Sequence, residues 1–455
     1  MAKLQKKTET GNLGIKFPKS AGVDIGSTLM QVCVPEAMAE DYNRSFGTTT
    51  DELNRLTRWL VELGIDHVAM EATGVYWIPL FLRLSKAGLN PVLLNAADVK
   101  NFTARKTDVN DAEWLMTLMR YGMVKPSFQV NDIERKLRNL TRHRRNLTDL
   151  ASDTIRRIQK CMELMNIKLT EVLSDITGKS GTNIIEAIIS GQRDPFLLAG
   201  LAHGGCKKDR HQIALALEGT WDEELIFMME QNYAQYRMLR NQMKDLDSRL
   251  EAALNDIAAA AYTLREGEVV EVMKSNKKTH RESNKLNFDF EYLATQIWGV
   301  NLMRVDGISA ITLLHLMGEL GADFTSSFRS AAHFCSWCNL SPHDKISGGK
   351  ILSSHVKKKS NIVGQALRNC AQSISCSKSP LGDYHRRMRA KGGGKFAVCA
   401  TAHKLATIIY TMVKNKTEYD ATKVSSTTDE WLKKRIHQQE RLLKRLQDRL
   451  QNDAV

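Results

Sequence analysis

Four acidic residues in the first quarter of the chain have the types and spacing that metal-dependent cleavage of a phosphodiester would need. Asp24 lies in AGVDIGST, Glu71 in VAMEATGVYW, and Asp108 and Asp111 in RKTDVNDAEWL. Each falls at the end of an apolar run or on the first turns of a predicted helix, and residues three apart on a helix point to one side. Carboxylates gathered in this way bind Mg²⁺.

For any one of these residues, a structural role is the simpler interpretation. Asp24 and Glu71 would then be turn residues, and Asp108 would be the N-cap of a helix. The four residues together, in this order and context, favour the catalytic interpretation, and Lys-Thr-Asp-x-x-Asp-Ala is the most specific part. Arg105 and Lys106 come shortly before Asp108, and their charges could hold a phosphate group.

A serine in the last third of the chain is a second candidate for chemistry. Ser347 lies in CNLSPHDKISGGKILSSHVKKKSN, where the two glycines that follow it leave its hydroxyl accessible. A metal-bound hydroxide or a basic group could activate it for attack on phosphorus. Nearby lysines could hold a scissile phosphate against it: Lys345, Lys350, Lys357, Lys358 and Lys359. The alternative is a flexible loop with solvated lysines.

The composition favours a polyanionic partner. The 455-residue chain carries a formal charge of +14, and Lys and Arg that neutralise phosphates gain affinity by releasing counterions. Its length predicts roughly two to four domains. No stretch approaches the ~20 apolar residues of a membrane span, so we expect no membrane. The eight scattered cysteines predict a reducing cytoplasm rather than a disulfide scaffold.

The elements that must position the acids are predicted over residues 20–128. Short apolar runs bounded by Gly, Pro, Asp or Asn predict strands in AGVDIG, LMQVCVPE, HVAMEA and PVLLNA. Amphipathic patterns predict helices over 51–64 and 77–88, the second ending at Gly88 as a C-cap would. This alternation is typical of an α/β layer with a mixed sheet. The charged and polar residues 1–19 predict a flexible arm.

Two long amphipathic helices are predicted in the middle of the chain. The first is strongly basic and has a seam that steps by four and three: Ile133, Leu137, Leu140, Arg144, Leu147 and Ala151. The second seam runs through Leu225, Met229, Asn232, Tyr236, Leu239, Met243, Leu246, Leu250, Ala253 and Ile257. These helices predict either an antiparallel hairpin or a dimerising coiled coil.

The rest of the domain organisation follows from composition. Residues 129–270 form the coiled-coil region, into which 166–221 inserts short helices and Gly-rich turns. A polar linker is predicted over 271–294, and a helical, Gly-punctuated domain over 295–422. The basic helix 429–452 again has a heptad seam, so it could pair with a partner, lie along a phosphate backbone or pack on its own domain.

Residues 305–321 (VDGISAITLLHLMGELG) resemble the turn of a helix-hairpin-helix. In that motif, backbone N–H groups at a helix N-terminus bind a DNA phosphate. Many helix pairs share this pattern.

The order of these motifs resembles the DEDD transposases of bacterial insertion sequences, a group that includes Piv-type DNA invertases and bridge-RNA-guided recombinases. The resemblance covers about 20–160 and 295–420. The motifs that carry it are Asp24, Glu71-Ala-Thr-Gly, Lys106-Thr-Asp108-x-x-Asp111-Ala, Val-Asp-Gly-Ile, Leu-Ser-Pro and Ser347-Gly-Gly.

The resemblance implies a fold of α/β plus α: a RuvC-like (ribonuclease-H-like) N-terminal domain, a long helical coiled-coil region and a mainly helical C-terminal transposase domain. By position, Asp24, Glu71, Asp108 and Asp111 match the tetrad that binds Mg²⁺, with two ions expected per site. Ser347 matches the serine that becomes covalently joined to cleaved DNA.

The implied function is a transposase or recombinase of an insertion sequence, acting on donor and target DNA in the bacterial cytoplasm. Subunits of such enzymes pair, as dimers or tetramers, so that the acids of one chain meet the serine of another. An element-encoded non-coding RNA is expected to guide it. Arg142, Arg144 and Arg145 lie on the basic helix that is the natural nucleic-acid surface. The alternatives are a RuvC-like junction resolvase or nuclease that uses water, and a non-catalytic nucleic-acid-binding scaffold.

Two details depart from the family pattern. Residues 306–309 read Asp-Gly-Ile-Ser, where the family usually has Pro-Gly-Ile-Gly, so the phosphate contact there is weakened or reshaped. Cys335 and Cys338 stand where the family tends to have small residues. A zinc site would need a second pair of ligands, and Cys370 and Cys376 match poorly, so buried structural cysteines are the favoured interpretation.

Overall fold

The computed structural model describes residues 14–72, 74–95, 111–264, 267, 269–275, 285–356 and 361–424, with a few helical residues between 436 and 444. The chain divides into two compact units, Met1–Gln129 and Val130–Val455. Three predictions therefore lie wholly or largely outside the described residues: the N-terminal arm, the position of Asp108, and the C-terminal helix.

The first unit is built on a five-stranded mixed sheet in the order β3-β2-β1-β4-β5. The strands are β1 Ser20–Ile25, β2 Leu29–Cys33, β3 Asn43–Gly47, β4 His67–Glu71 and β5 Asn90–Leu94. β1, β4 and β5 are parallel, whereas β2 and β3 are antiparallel to their neighbours. The four predicted strands are present. β3 was not predicted, because this edge strand (NRSFG) is mostly polar and only its Phe46 is buried.

Helices cover both faces of this sheet. Helix α1 (Thr50–Glu62) and helix α2 (Trp77–Lys86) lie on one face, and their buried leucines pack into the core formed by alternate residues of β1 and β4. Both helices were predicted, and Gly88, with φ 83°, follows the end of α2. Helix α3 (Asp111–Arg120) packs on the other face, against β4 and β5. The prediction of an α/β unit with a mixed sheet is confirmed.

The second unit begins with two long helices that pack along each other within the chain. They are α4 (Asp132–Leu164) and α9 (Glu223–Leu264). The contacts of Arg144 with Asp247 and of Thr148 with Met243 run in opposite directions along the two helices, so the pair is antiparallel. Most of both predicted seams is buried, but Ile133 is exposed. Coiled-coil geometry and pairing with another chain stay predictions.

Short helices connect the two long ones, as the sequence predicts for residues 166–221. They are α5 Leu169–Val172, α6 Lys179–Ile189, α7 Pro195–Ala199 and α8 Arg210–Ala216. Several begin at a side-chain cap; Asp209, for example, accepts a hydrogen bond from the Gln212 backbone N–H at 2.8 Å.

The C-terminal part of the second unit is mainly helical around an aromatic core. Its elements are α10 Phe290–Trp298, α11 Ala310–Leu320, α12 Phe324–Ser327, α13 Ala331–Trp337, β6 Pro342–Ser347, β7 Lys350–Val356, α14 Ile362–Ser373 and α15 Pro380–Asn415. Phe324 and Phe334, whose ring centroids are 5.2 Å apart, lie at the centre of this core. Helix α10 begins at Phe290, inside the range predicted as linker, because Asp289 caps it through the Tyr292 backbone N–H.

Helix α15 qualifies the expectation that no segment is apolar enough to cross a membrane. Among the described helices, α15 is long and apolar enough to cross a membrane, because one stretch of 18 residues in it has a mean hydropathy of 1.4. Half of that stretch is buried inside the protein, and its buried side chains include Leu405 and Ile409. Packing against the rest of the unit therefore accounts for its apolar character.

The cysteine prediction is confirmed for the pair that departs from the family pattern. Cys335 and Cys338 are both fully buried, and burial raises the pKa of each thiol. The Cys335 thiol contacts the His403 carbonyl oxygen at 3.7 Å. All eight cysteines are free, and the described residues contain no cluster of three or more His, Cys, Asp or Glu able to hold a metal ion.

Candidate active site

Two of the predicted acids end neighbouring parallel strands at one edge of the sheet. Val23 of β1 pairs with Met70 of β4, so Asp24 and Glu71 are each the next residue towards the carboxyl end. Val23 and Met70 point into the core under α1 and α2. Because side chains alternate along a strand, Asp24 and Glu71 lie on the opposite face, which carries α3.

A glycine allows α3 to approach β1 very closely. A Cβ at Gly22 would be 2.0 Å from the Ala112 carbonyl oxygen and 2.4 Å from the Met116 backbone nitrogen. The end of α3 lies near the start of β1, since the Arg120 carbonyl oxygen accepts hydrogen bonds from the backbone N–H groups of Lys16 and Phe17. Helix α3 is therefore antiparallel to β1, and its first turn lies towards the strand end that carries Asp24.

Asp111, the first residue of α3, acts directly on Asp24. Partial burial of the Asp24 carboxyl and the nearby charge of Asp111 raise the pKa of Asp24. A hydrogen bond from the Ile25 backbone N–H opposes this shift. The positive end of the α3 dipole lies at Asp111 and favours negative charge there. The structure thus brings together carboxylates that are 87 positions apart in the sequence, Asp24 and Asp111.

The site fits a divalent cation by the chemistry of its donors, although the described part of it is incomplete. Asp24, Glu71 and Asp111 offer only carboxylate oxygens, which Mg²⁺ prefers. A cation between Asp24 and Asp111 would relieve the repulsion that raises the Asp24 pKa. Among the described residues, these three carboxylates are not arranged as a group of three that could hold a metal ion. Asp108, the fourth predicted ligand, lies outside the described residues.

Replacing Gly22 with alanine is expected to displace the first turns of α3, because the new Cβ would overlap two backbone atoms that cannot rotate away. We expect the free energy of unfolding of the first unit to fall by about 3 kcal/mol in chemical denaturation. Gly14→Ala is the matched control, since a Cβ there would meet nothing within 4 Å. Equal stability of the two variants would contradict this account.

Ser347 ends strand β6 at the tip of a two-stranded hairpin. It pairs with Lys350, and Gly348 and Gly349 between them have φ values of 55° and 76°. Positive φ at both positions is typical of a two-residue type I′ turn, which Gly-Gly favours. Ser347 and Lys350 are exposed. This hairpin was not predicted, although Gly-Gly between two short runs was a usable signal.

The basic residues predicted to contact nucleic acid divide into distinct groups. Arg144 is 2% exposed, and its Nε donates a hydrogen bond to Asp247 Oδ1 at 2.6 Å. The prediction that Arg144 contacts nucleic acid is therefore wrong. A buried charge needs a partner, and Asp247 of α9 supplies it. Arg142 is half exposed and donates two hydrogen bonds to Glu319, whereas Arg145 is exposed.

The remaining predicted contacts fall outside the described residues or side chains. These are Arg105, Lys106, Lys357, Lys358 and Lys359, together with the side chain of Lys345.

The predicted hairpin turn near residue 307 is present but faces inward. Gly307 has φ 80°, and a Cβ there would be 2.5 Å from the Ile374 side chain. Ser309 caps α11 by accepting a hydrogen bond from the Thr312 backbone N–H at 3.2 Å. Because the chain itself covers the glycine and Asp306 adds a carboxylate, this turn is poorly suited to bind a phosphate.

Two family models match the chain, and together they cover just over half of it. Residues 21–167, which include nearly all of the sheet, α3 and the whole of α4, match the IS110-type DEDD family model described as Transposase. Residues 300–386, which include the Ser347 hairpin, match the model described as Transposase IS116/IS110/IS902 family. A search of curated proteins gave no match. The paired acids at the sheet edge and both family matches agree: this chain belongs to the IS110-type DEDD transposases, enzymes of DNA transposition and recombination.

Proposed function

We propose that this transposase moves its own insertion sequence by forming a covalent bond between Ser347 and cleaved DNA. The observation that carries the proposal is the position of Ser347 at the exposed tip of a hairpin, next to two glycines that place no side chain beside its hydroxyl. Its neighbour Lys350 is also exposed and could hold a phosphate oxygen close to the serine.

The family implies dependence on a divalent metal ion. In our proposal the metal is Mg²⁺, with two ions per site held by Asp24, Glu71, Asp108 and Asp111. When bound, the metal supplies Lewis-acid stabilisation of the charge that develops on the phosphate. The acids themselves bind and orient it, and because burial and the charge of Asp111 raise the pKa of Asp24, protons compete with the metal at this carboxyl at higher pH than at an ordinary aspartate.

The proposed cleavage is a transesterification at phosphorus. The Ser347 Oγ gives its proton to a base and forms a bond to the phosphorus, while the bond from phosphorus to the 3′ oxygen of the neighbouring nucleotide breaks. That oxygen takes up a proton and leaves as a free 3′-hydroxyl. Because one phosphodiester replaces another, the reverse attack by a 3′-hydroxyl on the phosphoserine can join new strands without ATP.

Pairing of chains and RNA guidance complete the proposal. We propose that chains pair so that the acids of one chain share a site with Ser347 of another; the acids lie in the first compact unit of the chain and Ser347 in the second. Arg145 is exposed and Arg142 half exposed on α4, which supports a nucleic-acid surface along that helix. A guide RNA is expected to bind there, while DNA is the substrate that the family implies.

The test is the isolation of a covalent adduct. The full-length protein is incubated with Mg²⁺ and duplex DNA from the flanks of the element, then denatured and digested with protease. We expect DNA attached to the peptide that contains Ser347, together with a free 3′-hydroxyl on the other fragment. Cleaved DNA with no attached peptide would instead identify a nuclease that uses water.

A further inference from the structure

Helix α15 reverses direction at a run of three glycines. Gly393 has φ 80° and ψ 179°, which is not helical. His385 Nδ1 lies 3.2 Å from Thr401 Oγ1, although these residues are 16 positions apart. In a straight helix they would be about 24 Å apart. The chain therefore folds back, and residues 387–396, here called the α15 tip, form the end of a helical hairpin.

The α15 tip and the residue before it concentrate positive charge without acidic compensation. Residues 386–396 contain five Lys or Arg and no Asp or Glu. One of them, Arg386, is used inside the chain by Asp383 and the Ser377 carbonyl oxygen. Arg389, Lys391 and Lys395 are exposed, and within the part of the chain that the structure describes they have no carboxylate partner. A protein of net charge +14 gains nothing in stability from such a cluster.

The remaining side chains of the α15 tip hold its shape. The Arg387 guanidinium lies 5.9 Å from the centre of the Tyr384 ring, which restricts its orientation. The Phe396 ring packs on the backbone of Gly392, where a Cβ would be 2.7 Å away from the ring. The free cations are therefore displayed on a turn that the chain has fixed, rather than on a loose loop.

Glycine at the α15 tip leaves open space that the chain does not fill. A Cβ at Gly393 or Gly394 would meet nothing within 4 Å. Gly393 requires its glycine because of its positive φ, but Gly394 is helical, and alanine is the better residue in a helix. A glycine of this kind allows a ligand to approach the backbone closely.

We propose that the α15 tip binds the phosphate backbone of duplex DNA. The cations neutralise phosphates, and the bare backbone at Gly394 lets a strand come close to the turn. The tip lies just beyond residues 300–386, the range that the family model matches, and it includes neither Ser347 nor any of the acids. DNA is the substrate that the family implies, and the tip gives it a positioning surface that does not contact the reacting atoms.

The first test compares the salt dependence of DNA binding by fluorescence anisotropy, with the full chain and a labelled duplex. The triple variant Arg389→Gln, Lys391→Gln, Lys395→Gln is expected to lower the salt slope by up to about 3 and to weaken binding about 10- to 100-fold. The control removes three exposed charges from the inserted segment: Lys179→Gln, Lys207→Gln and Lys208→Gln. Equal slopes in the two triple variants would overturn the proposal.

The second test uses Gly394→Ala, which separates binding from folding. We expect its melting temperature to be unchanged or higher, because alanine favours helix and meets no atom, while its affinity for the duplex falls. Gly204→Ala is the matched control, since that glycine also faces open space without a positive φ. Full DNA affinity in Gly394→Ala, or a loss seen only with an RNA duplex, would also overturn the proposal.

Binding is measured without cleavage, so these outcomes are independent of the proposed role of Ser347. If the tip variants lower the salt slope of DNA binding as expected but the wild type forms no serine adduct, only the proposed function is contradicted. If the wild type forms the adduct but the tip variants bind DNA as well as the control variants do, only the proposed role of the α15 tip is contradicted.

Discussion

Replacing Asp24 with asparagine is expected to lower strand cleavage by at least ~10³-fold while leaving the fold intact. Asp24 ends β1 beside Asp111, and asparagine has nearly the same shape but offers no negative charge to a metal. Cleavage of a radiolabelled duplex in saturating Mg²⁺ measures the loss. Asp66→Asn is the control, because this exposed aspartate lies just before β4, at the opposite end of the sheet.

The same substitution is expected to stabilise the metal-free protein. Because the pKa of Asp24 is raised in the folded state, its ionisation costs stability at pH values above that pKa. Asp24→Asn removes this cost, so its melting temperature at pH 7 should exceed that of the wild type without metal. The gain should vanish as the pH falls below the ordinary range for aspartate, where Asp24 is protonated in both states.

Two results would contradict this role for Asp24. One is cleavage by Asp24→Asn at a rate within tenfold of Asp66→Asn. The other is a melting temperature of metal-free Asp24→Asn at pH 7 that lies below that of the wild type, since removing an ionisation that costs stability should raise it.

Ser347→Ala is expected to remove the covalent adduct completely and to lower recombination by at least ~10³-fold. The hydroxyl is exposed at the hairpin tip and packs against nothing essential, so alanine should leave the turn between Gly348 and Gly349 intact. Recombination in cells that carry the flanking DNA of the element gives the first readout, and a denaturing gel of the DNA adduct gives the second.

Ser354→Ala is the matched control for this prediction, because that exposed serine lies on β7 of the same hairpin, opposite Asp344. Cleavage of DNA by Ser347→Ala at the rate of Ser354→Ala would identify water as the nucleophile. Loss of both cleavage and DNA binding would point to a damaged hairpin instead, and faster hydrogen exchange of the backbone amides in β6 and β7 would show that directly.

Local patterns predicted the elements well where burial is one-sided. The runs around Asp24 and Glu71 became neighbouring parallel strands, and the seams through Leu137 and Leu239 became buried faces of α4 and α9. Periodicity reports burial because a side chain repeats its environment every second residue in a strand and every three to four in a helix. The polar edge strand β3 and the hairpin of Ser347 lacked that signal.

Charge was the least reliable guide to function. Arg144 and Arg145 are neighbours in a basic helix, yet the first is buried against Asp247 and the second is exposed. The sequence shows the same residue type at both positions, and only the packing of α9 distinguishes them. The basic run at 386–395 shows the converse, because its significance depends on the reversal at Gly393.

The sequence by itself determined the types of the acids, their places at the ends of predicted elements, and the Ser-Gly-Gly motif. The tertiary structure decided that Asp24 and Asp111 lie close together. Sequence distance does not encode such proximity, since it arises where Gly22 removes the side chain that would hold α3 away from β1. The pKa of Asp24 rises because its carboxyl is partly buried and because the charge of Asp111 lies nearby, and only the tertiary structure decides both.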